Sequence, residues 1–247
     1  MSDPVAVVLA AGKGTRMKSD RPKVLCEALG RPLIDYVIDC LEKAGVDRIL
    51  VVIGYRGQDV RRALAQRSGL EFVEQTEQLG TGHAVSVCCD RLAAHVGPVL
   101  VVTGDSPLIQ TDSVKRLLAE YRSGHPACIL GTLHKPRPDG LGRIVRDAAG
   151  QFLGIVEQKD ATPEQLKITE VNMSTYVFHG PDLLDSLKDL GTDNRQREYY
   201  LTDCPGILRT KGKDVRALPV LRPCEALSVN TLEELAVVED ELRKLGF

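Results

Sequence analysis

Between residues 9 and 25 the chain gathers small residues, two glycines and several cations: Leu-Ala-Ala-Gly-Lys-Gly-Thr-Arg-Met-Lys-Ser-Asp-Arg-Pro-Lys-Val-Leu. Glycine has no Cβ, so the backbone N–H groups around Gly12 and Gly14 can approach a ligand closely. Consecutive N–H groups in such a turn form an anion-binding concavity. Leu9, Ala10, Ala11, Gly12, Gly14 and Thr15 are therefore a candidate phosphate cradle, with Arg16 and Lys23 as fixed cations at its rim. A dinucleotide fingerprint would need a third glycine where Met17 stands, and the Gly-Lys-Ser/Thr of a P-loop is absent.

Other residues with usable chemistry follow at intervals. Gln75 and Gln78 carry amides, each a donor and an acceptor, which suits the edge of a pyrimidine. Gly80 and Thr81 add close backbone approach and a hydroxyl, and His83 falls one turn into the next helix, a structural position. Asp105 comes just after an apolar run, where a carboxylate either ligates Mg²⁺ or caps the following turn. Glu157 with Lys159 close by, Asn172, and Thr202 at a helix start are polar groups suited to hydroxyl-bearing ligands. Asn230 precedes Thr231 and Glu234, a capping-box pair.

The elements that must hold these residues alternate. Apolar runs over 5–9, 49–53, 71–73 and 98–103 predict buried strands, each followed by a helical pattern. Those helices carry Leu33, Val37 and Leu41 after Pro32; then Val60 and Leu64; then Val85, Cys88 and Leu92; then Val114, Leu117 and Leu118. A strand over 127–132, a hairpin over 143–157, a helix over 181–190, a strand over 215–220 and a C-terminal helix complete the chain. The alternation predicts an α/β fold, a Rossmann-like doubly wound, mostly parallel sheet, with ligands at the strand ends. The expected division is a first half over about 1–133, a smaller lobe over about 134–229, and a helix over 230–247.

Composition narrows the class. With 247 residues and 43% hydrophobic content the chain can bury a large core. A net charge of −2 gives no electrostatic support for a nucleic-acid partner, and no apolar run reaches membrane-spanning length. Seven cysteines without Cys-x-x-Cys spacing indicate neither a disulfide framework nor a zinc site. With no basic N-terminal leader pattern, a cytoplasmic location is expected.

The pattern Leu-x-x-Gly-x-Gly-Thr-x-Met followed by Pro22-Lys23-Val24-Leu25 resembles the signature loop of sugar-nucleotide pyrophosphorylases. Together with residues 155–162 (Ile-Val-Glu-Gln-Lys-Asp-Ala-Thr) and 198–203 (Glu-Tyr-Tyr-Leu-Thr-Asp), it is similar in particular to bacterial N-acetylglucosamine-1-phosphate uridylyltransferase domains. The resemblance implies the nucleotide-diphospho-sugar transferase fold, with about 1–133 as the nucleotide-binding half and about 134–229 as the sugar-binding lobe. It also implies that UTP and N-acetylglucosamine-1-phosphate give UDP-N-acetylglucosamine and pyrophosphate. It implies Mg²⁺ on Asp105 and Asn230, catalytic roles for Arg16 and Lys23, and uracil held by the segment containing Gln75, Gln78, Gly80 and Thr81. Thr103, Gly104, Gly140, Glu157, Asn172 and Thr202 are the implied sugar contacts. The chain departs from the family at Thr103, often Tyr; at Ser174, usually Gly; and at Ser228, usually Gly. Those changes keep open another sugar-1-phosphate, such as glucose-1-phosphate, or a non-catalytic nucleotide-sugar-binding regulator. The family's bifunctional enzyme continues into an acetyltransferase β-helix; no hexapeptide repeats occur here, so no acetyltransferase activity is expected.

Overall fold

The computed structural model describes residues 2–14 and 21–247, so Thr15 and Arg16 lie outside the described residues. Among those described, nine strands form one mixed sheet. Its backbone is β1 (Val5–Ala10), β4 (Arg48–Ile53), β5 (Leu70–Glu74), β6 (Pro98–Thr103), β7 (Cys128–His134), β10 (Glu170–His179) and β11 (Val215–Leu218). Their spatial order is β11-β7-β10-β6-β1-β4-β5. The pairs β6–β1, β1–β4, β4–β5 and β11–β7 are parallel, whereas β10 runs antiparallel to both its neighbours. The hairpin of β8 (Arg143–Arg146) and β9 (Phe152–Val156) joins the start of β10 through the pairing of Arg143 with Val171.

Continuous apolar runs form these strands because both faces are covered. Ala6, Val8, Ile49, Val51, Leu100 and Val102 point to one core, packed under α1 (Leu33–Lys43), α2 (Gly57–Ala63) and α5 (Thr111–Gly124). Val5, Val7, Leu50, Val52, Val99 and Val101 point to the other. That core lies under α3 (Thr81–Ser86), α4 (Cys89–Leu92), α6 (Gly180–Lys188) and α7 (Cys204–Thr210). The single helix expected over Val85, Cys88 and Leu92 is thus two short ones, broken at Cys88.

Two elements carry no readable period in the sequence. The ribbon of β2 (Glu27–Ala28) and β3 (Arg31–Pro32) turns through Leu29 and Gly30, both at positive φ, as a type I′ hairpin turn requires. Its turn is held by α8 (Leu232–Lys244), whose Glu239 carboxylate accepts from the Leu29 N–H at 2.9 Å. Val238 and Leu242 of α8 share a small core with Ala28, Leu33 and Tyr36, which brings the chain's end back beside its beginning. The other is β10, which inserts between β6 and β7, so strands from both sides of residue 133 interleave in one sheet. Its pairing with β7 slips between Asn172 and Tyr176, and Ser174 inside that bulge takes φ +52°. Glycine adopts that conformation freely; a serine bears a cost of about 1 kcal/mol there.

All seven cysteines are free, and five of them are buried. Burial pushes the thiols of Cys40, Cys88 and Cys204 up to about 12, which makes them inert packing residues. No helix among the described residues is long and apolar enough to cross a membrane.

Candidate active site

A cleft of about 360 Å³ opens at the C-terminal ends of β1, β5 and β6. Its floor is the turn after β1: Leu9, Ala10, Ala11, Gly12 and Gly14 all line it. Gly14 sits at φ +63°, and a Cβ there would stand 2.6 Å from the Cβ of Lys23. The glycine therefore lets the loop close over Lys23. Lys23 itself is fixed by a short 3-10 turn, Lys23–Leu25, whose Val24 and Leu25 are buried in the core.

The Lys23 ammonium lies between two oxygen acceptors, 2.6 Å from Asp105 Oδ2 and 3.1 Å from Asn230 Oδ1. Asp105 follows β6 and Asn230 precedes α8, so the turn after β6 and the C-terminal helix converge on one cationic centre. Asn230 is aimed from two sides. Its backbone N–H donates to Glu234, and its Nδ2 donates to Ser228 Oγ at 3.0 Å, which turns Oδ1 toward Lys23. Thr231 caps α8 by accepting from Glu234 N at 3.2 Å, while the Glu234 carboxylate reaches one residue further back than in an ideal capping box. Among the described residues no cluster of three or more His, Cys, Asp or Glu forms a metal site.

The segment after β5 supplies the cleft's far wall with Gln75, Gln78, Gly80 and Thr81. Gln75 is buried, and its Nε2 meets Gly80 O at 3.1 Å and His83 Nδ1 at 3.0 Å. Gln78 Nε2 donates to the Gln75 carbonyl at 3.0 Å and packs against Gly54, where a Cβ would come within 2.8 Å. The segment is clamped by residues 199–201. Gly82 N–H donates to Tyr199 O at 2.7 Å, Tyr199 N–H to Leu79 O at 2.8 Å, and Leu201 N–H to Thr81 Oγ1 at 3.0 Å.

Gly80 makes this clamp possible, at φ +114° and with a Cβ position only 2.5 Å from Tyr199 O. Gly80→Ala is expected to lower stability by about 3 kcal/mol, combining a glycine-only backbone region with a collision against backbone. Urea unfolding checks it, and a loss below about 0.5 kcal/mol would contradict the clamp.

Thr103 also lines this cleft, with its hydroxyl 2.7 Å from Ser106 Oγ. Gly104 donates its N–H to Leu9 O at 2.9 Å, so it locks β6 to the cradle and has no N–H left for a sugar.

The remaining sugar candidates gather elsewhere. Register aligns Val171, Arg143 and Val156, which brings Gly142, Glu157 and Asn172 together. A Cβ on Gly142 would lie 3.4 Å from Glu157 Oε1 and 3.6 Å from Asn172 Cβ. Gly140 lies apart from this group. It is exposed, has nothing within 4 Å of its Cβ position, and its N–H donates to the Gln158 side chain. The glycine beside Glu157 and Asn172 is Gly142, two residues on, a placement that β8–β9 pairing makes and spacing alone does not.

Asn172 is buried, with Nδ2 donating to Tyr176 Oη at 2.7 Å and Oδ1 accepting from Ser174 N at 3.2 Å. Burial pushes the Glu157 carboxyl above its ordinary pKa, a bond from Thr202 opposes that rise, and Asp203 and Asp160 add to it. Thr202 and Tyr199 belong to one short segment, so the segment that clamps the turn after β5 also reaches Glu157. Glu198, on the same segment, completes the cleft wall and carries no catalytic signature in the sequence.

The sequence pattern of the MobA-like NTP transferase domain matches residues 6–202. The bifunctional protein GlmU of Lactobacillus delbrueckii subsp. bulgaricus is 46% identical over 230 residues, which are 93% of this chain and 50% of that protein. The GlmU of Solibacter usitatus is 43% identical over 97% of this chain and 52% of its own length. That of Shouchella clausii is 40% identical over 99% and 53% respectively. The chain thus spans about half the length of these relatives. In fold it is similar to a UDP-glucose pyrophosphorylase whose crystal structure holds UDP-glucose. The TM-score is 0.78 at 17% identity, covering 99% of this chain and 100% of that one.

Proposed function

The chain belongs to the MobA-like NTP transferase family, and from that premise we propose that it is a uridylyltransferase. It joins UTP to N-acetylglucosamine-1-phosphate, giving UDP-N-acetylglucosamine and pyrophosphate. One observation carries the reading: a lysine ammonium held between Asp105 and Asn230 at the mouth of a glycine-built phosphate cradle.

An oxygen of the sugar phosphate attacks the α-phosphorus in line and pyrophosphate leaves. A phosphate monoester is largely ionised near neutral pH, so no general base is needed. The backbone of 9–14 orients the phosphates. Lys23 leaves its two partners to meet the charge that builds on the α-phosphate. Arg16, outside the described residues, is assigned to the pyrophosphate. Asp105 and Asn230 already hold a cation through one carboxylate and one carboxamide oxygen, a donor set that fits Mg²⁺. When bound there, Mg²⁺ neutralises phosphate charge as a Lewis acid.

Gln75 and Gln78 are the proposed base contacts, with Gly80 and Thr81 supporting them. Glu157, Asn172, Thr202 and Gly142 form the proposed sugar pocket, and Glu157 sets its pH response. A sugar hydroxyl donates best to the ionised carboxylate, so KM for the sugar phosphate rises as pH falls through the raised pKa of Glu157. In Glu157→Gln that component of the profile disappears, and KM is about tenfold higher at neutral pH. The ionisation of the sugar phosphate itself acts on both enzymes alike, so the difference between the two profiles isolates Glu157. Superimposable profiles would remove Glu157 from the pocket.

Pyrophosphate release from UTP and Mg²⁺ tests the function with N-acetylglucosamine-1-phosphate, glucose-1-phosphate and galactose-1-phosphate in parallel. Preference for the first is expected. Preference for another would keep the chemistry and move the substrate. Silence with all three, despite UTP binding, would overturn the catalytic reading.

A further inference from the structure

His83 has no part in the chemistry above, yet it touches a residue that has. Gln75 is 3% exposed and lines the cleft, and its Nε2 carries two hydrogens with two partners at hydrogen-bond distance. One partner, Gly80 O, can only accept, so the amide nitrogen must face it. In that orientation His83 Nδ1 must accept as well, and the ring carries its proton on Nε2. Turning the amide over would set Gln75 Oε1 against both Gly80 O and the Nδ1 lone pair. Both donor hydrogens of Gln75 are therefore engaged within the protein, and what it presents to a ligand is an acceptor, Oε1.

An acceptor at this place separates the two pyrimidines. Uracil carries a hydrogen on N3 and can donate it; cytosine has a lone pair at N3 and cannot. We propose that His83 is a positioning residue for base selection, locking the Gln75 amide so that Oε1 accepts from uracil N3–H and repels cytosine N3. The inference rests on the uridylyltransferase reading and deepens it, by naming what fixes the base. His83 reaches Gln75 because Gly80 and Gly82 let α3 start tightly against residues 199–201. The eight-residue separation spans the whole turn between β5 and α3.

The test is equilibrium binding of UTP and CTP, by calorimetry, to the wild type, His83→Leu and His83→Asn. Leu fills much of the ring's volume and has no acceptor. Asn places a carboxamide oxygen where Nδ1 stands and restores one. The wild type should prefer UTP. In His83→Leu the UTP-to-CTP affinity ratio should fall about tenfold, the scale of one lost buried hydrogen bond plus relief of the clash with cytosine. His83→Asn should recover most of the ratio, and in turnover assays with UTP the effect of His83→Leu should lie in KM with kcat nearly unchanged. A wild type without preference would overturn the uridine reading itself. A wild type with the preference, and a His83→Leu variant that keeps it in full, would overturn only the role of His83 and leave Gly80 O as the sole lock. A loss in both variants matched by a loss of thermal stability would make His83 a structural residue and likewise overturn the proposal.

Discussion

Replacing Lys23 by alanine is expected to lower kcat by roughly 10²–10³-fold, the range found when a donor aimed at developing charge is removed. UTP affinity should fall by about tenfold or less. The asymmetry follows from the free protein's geometry. Nζ already has Asp105 Oδ2 at 2.6 Å and Asn230 Oδ1 at 3.1 Å, so its move onto a phosphate exchanges partners and adds little ground-state attraction. Only as negative charge builds on the α-phosphate does the ammonium gain more than it gave up. Steady-state kinetics with a separate UTP binding measurement distinguishes the two effects. Equal losses in kcat and affinity would assign Lys23 to ground-state binding.

The second large effect belongs to Asp105→Ala. Turnover should fall about 10³-fold or more, since several kcal/mol of charge stabilisation are at stake. Titration calorimetry with Mg²⁺ in the presence of UTP should lose its binding signal in the same variant. The fold should survive. The Asp105 side chain is about a quarter exposed, and a partly exposed pair with Lys23 contributes on the order of 1 kcal/mol or less. Retained activity with unchanged metal dependence would remove Asp105 from the metal site. Loss of activity with Mg²⁺ binding intact would shift its role to holding Lys23.

Much of this was legible in the sequence, for identifiable reasons. The strands over 49–53 and 98–103 announce themselves because both sheet faces are buried, leaving no polar interruption in their apolar runs. Strand ends then locate the cradle, Gln75 and Asp105, since the parallel strands β1, β5 and β6 all deliver their C-termini to one edge. Long-range pairing was not legible. No periodicity marks 170–179 as a strand, because the bulge at 173–175 breaks the alternation, and a ten-residue antiparallel strand results. The same pairing sets Gly142 beside Glu157 and leaves Gly140 outside, although the sequence presents them as near-equivalent glycines.

Resemblance pointed to Asn230. Its aim comes from contacts that no local pattern encodes: Ser228 on its amide, and α8 packed against the β2–β3 ribbon. Ser228 stands where the resembled family has glycine, and here its hydroxyl orients the amide. His83 looked like a helix residue and nothing more. Its contact with Gln75 needs the left-handed turn at Gly80, which a sequence permits without specifying.

Transfer of a uridylyl group from UTP to a sugar phosphate is read directly by following a label. The protein is incubated with UTP labelled at the α-phosphorus, Mg²⁺ and N-acetylglucosamine-1-phosphate, and the products are separated. Label is expected in UDP-N-acetylglucosamine, with unlabelled pyrophosphate in equal amount. Label recovered in UMP or left wholly in UTP, with the sugar phosphate unconsumed, would contradict it.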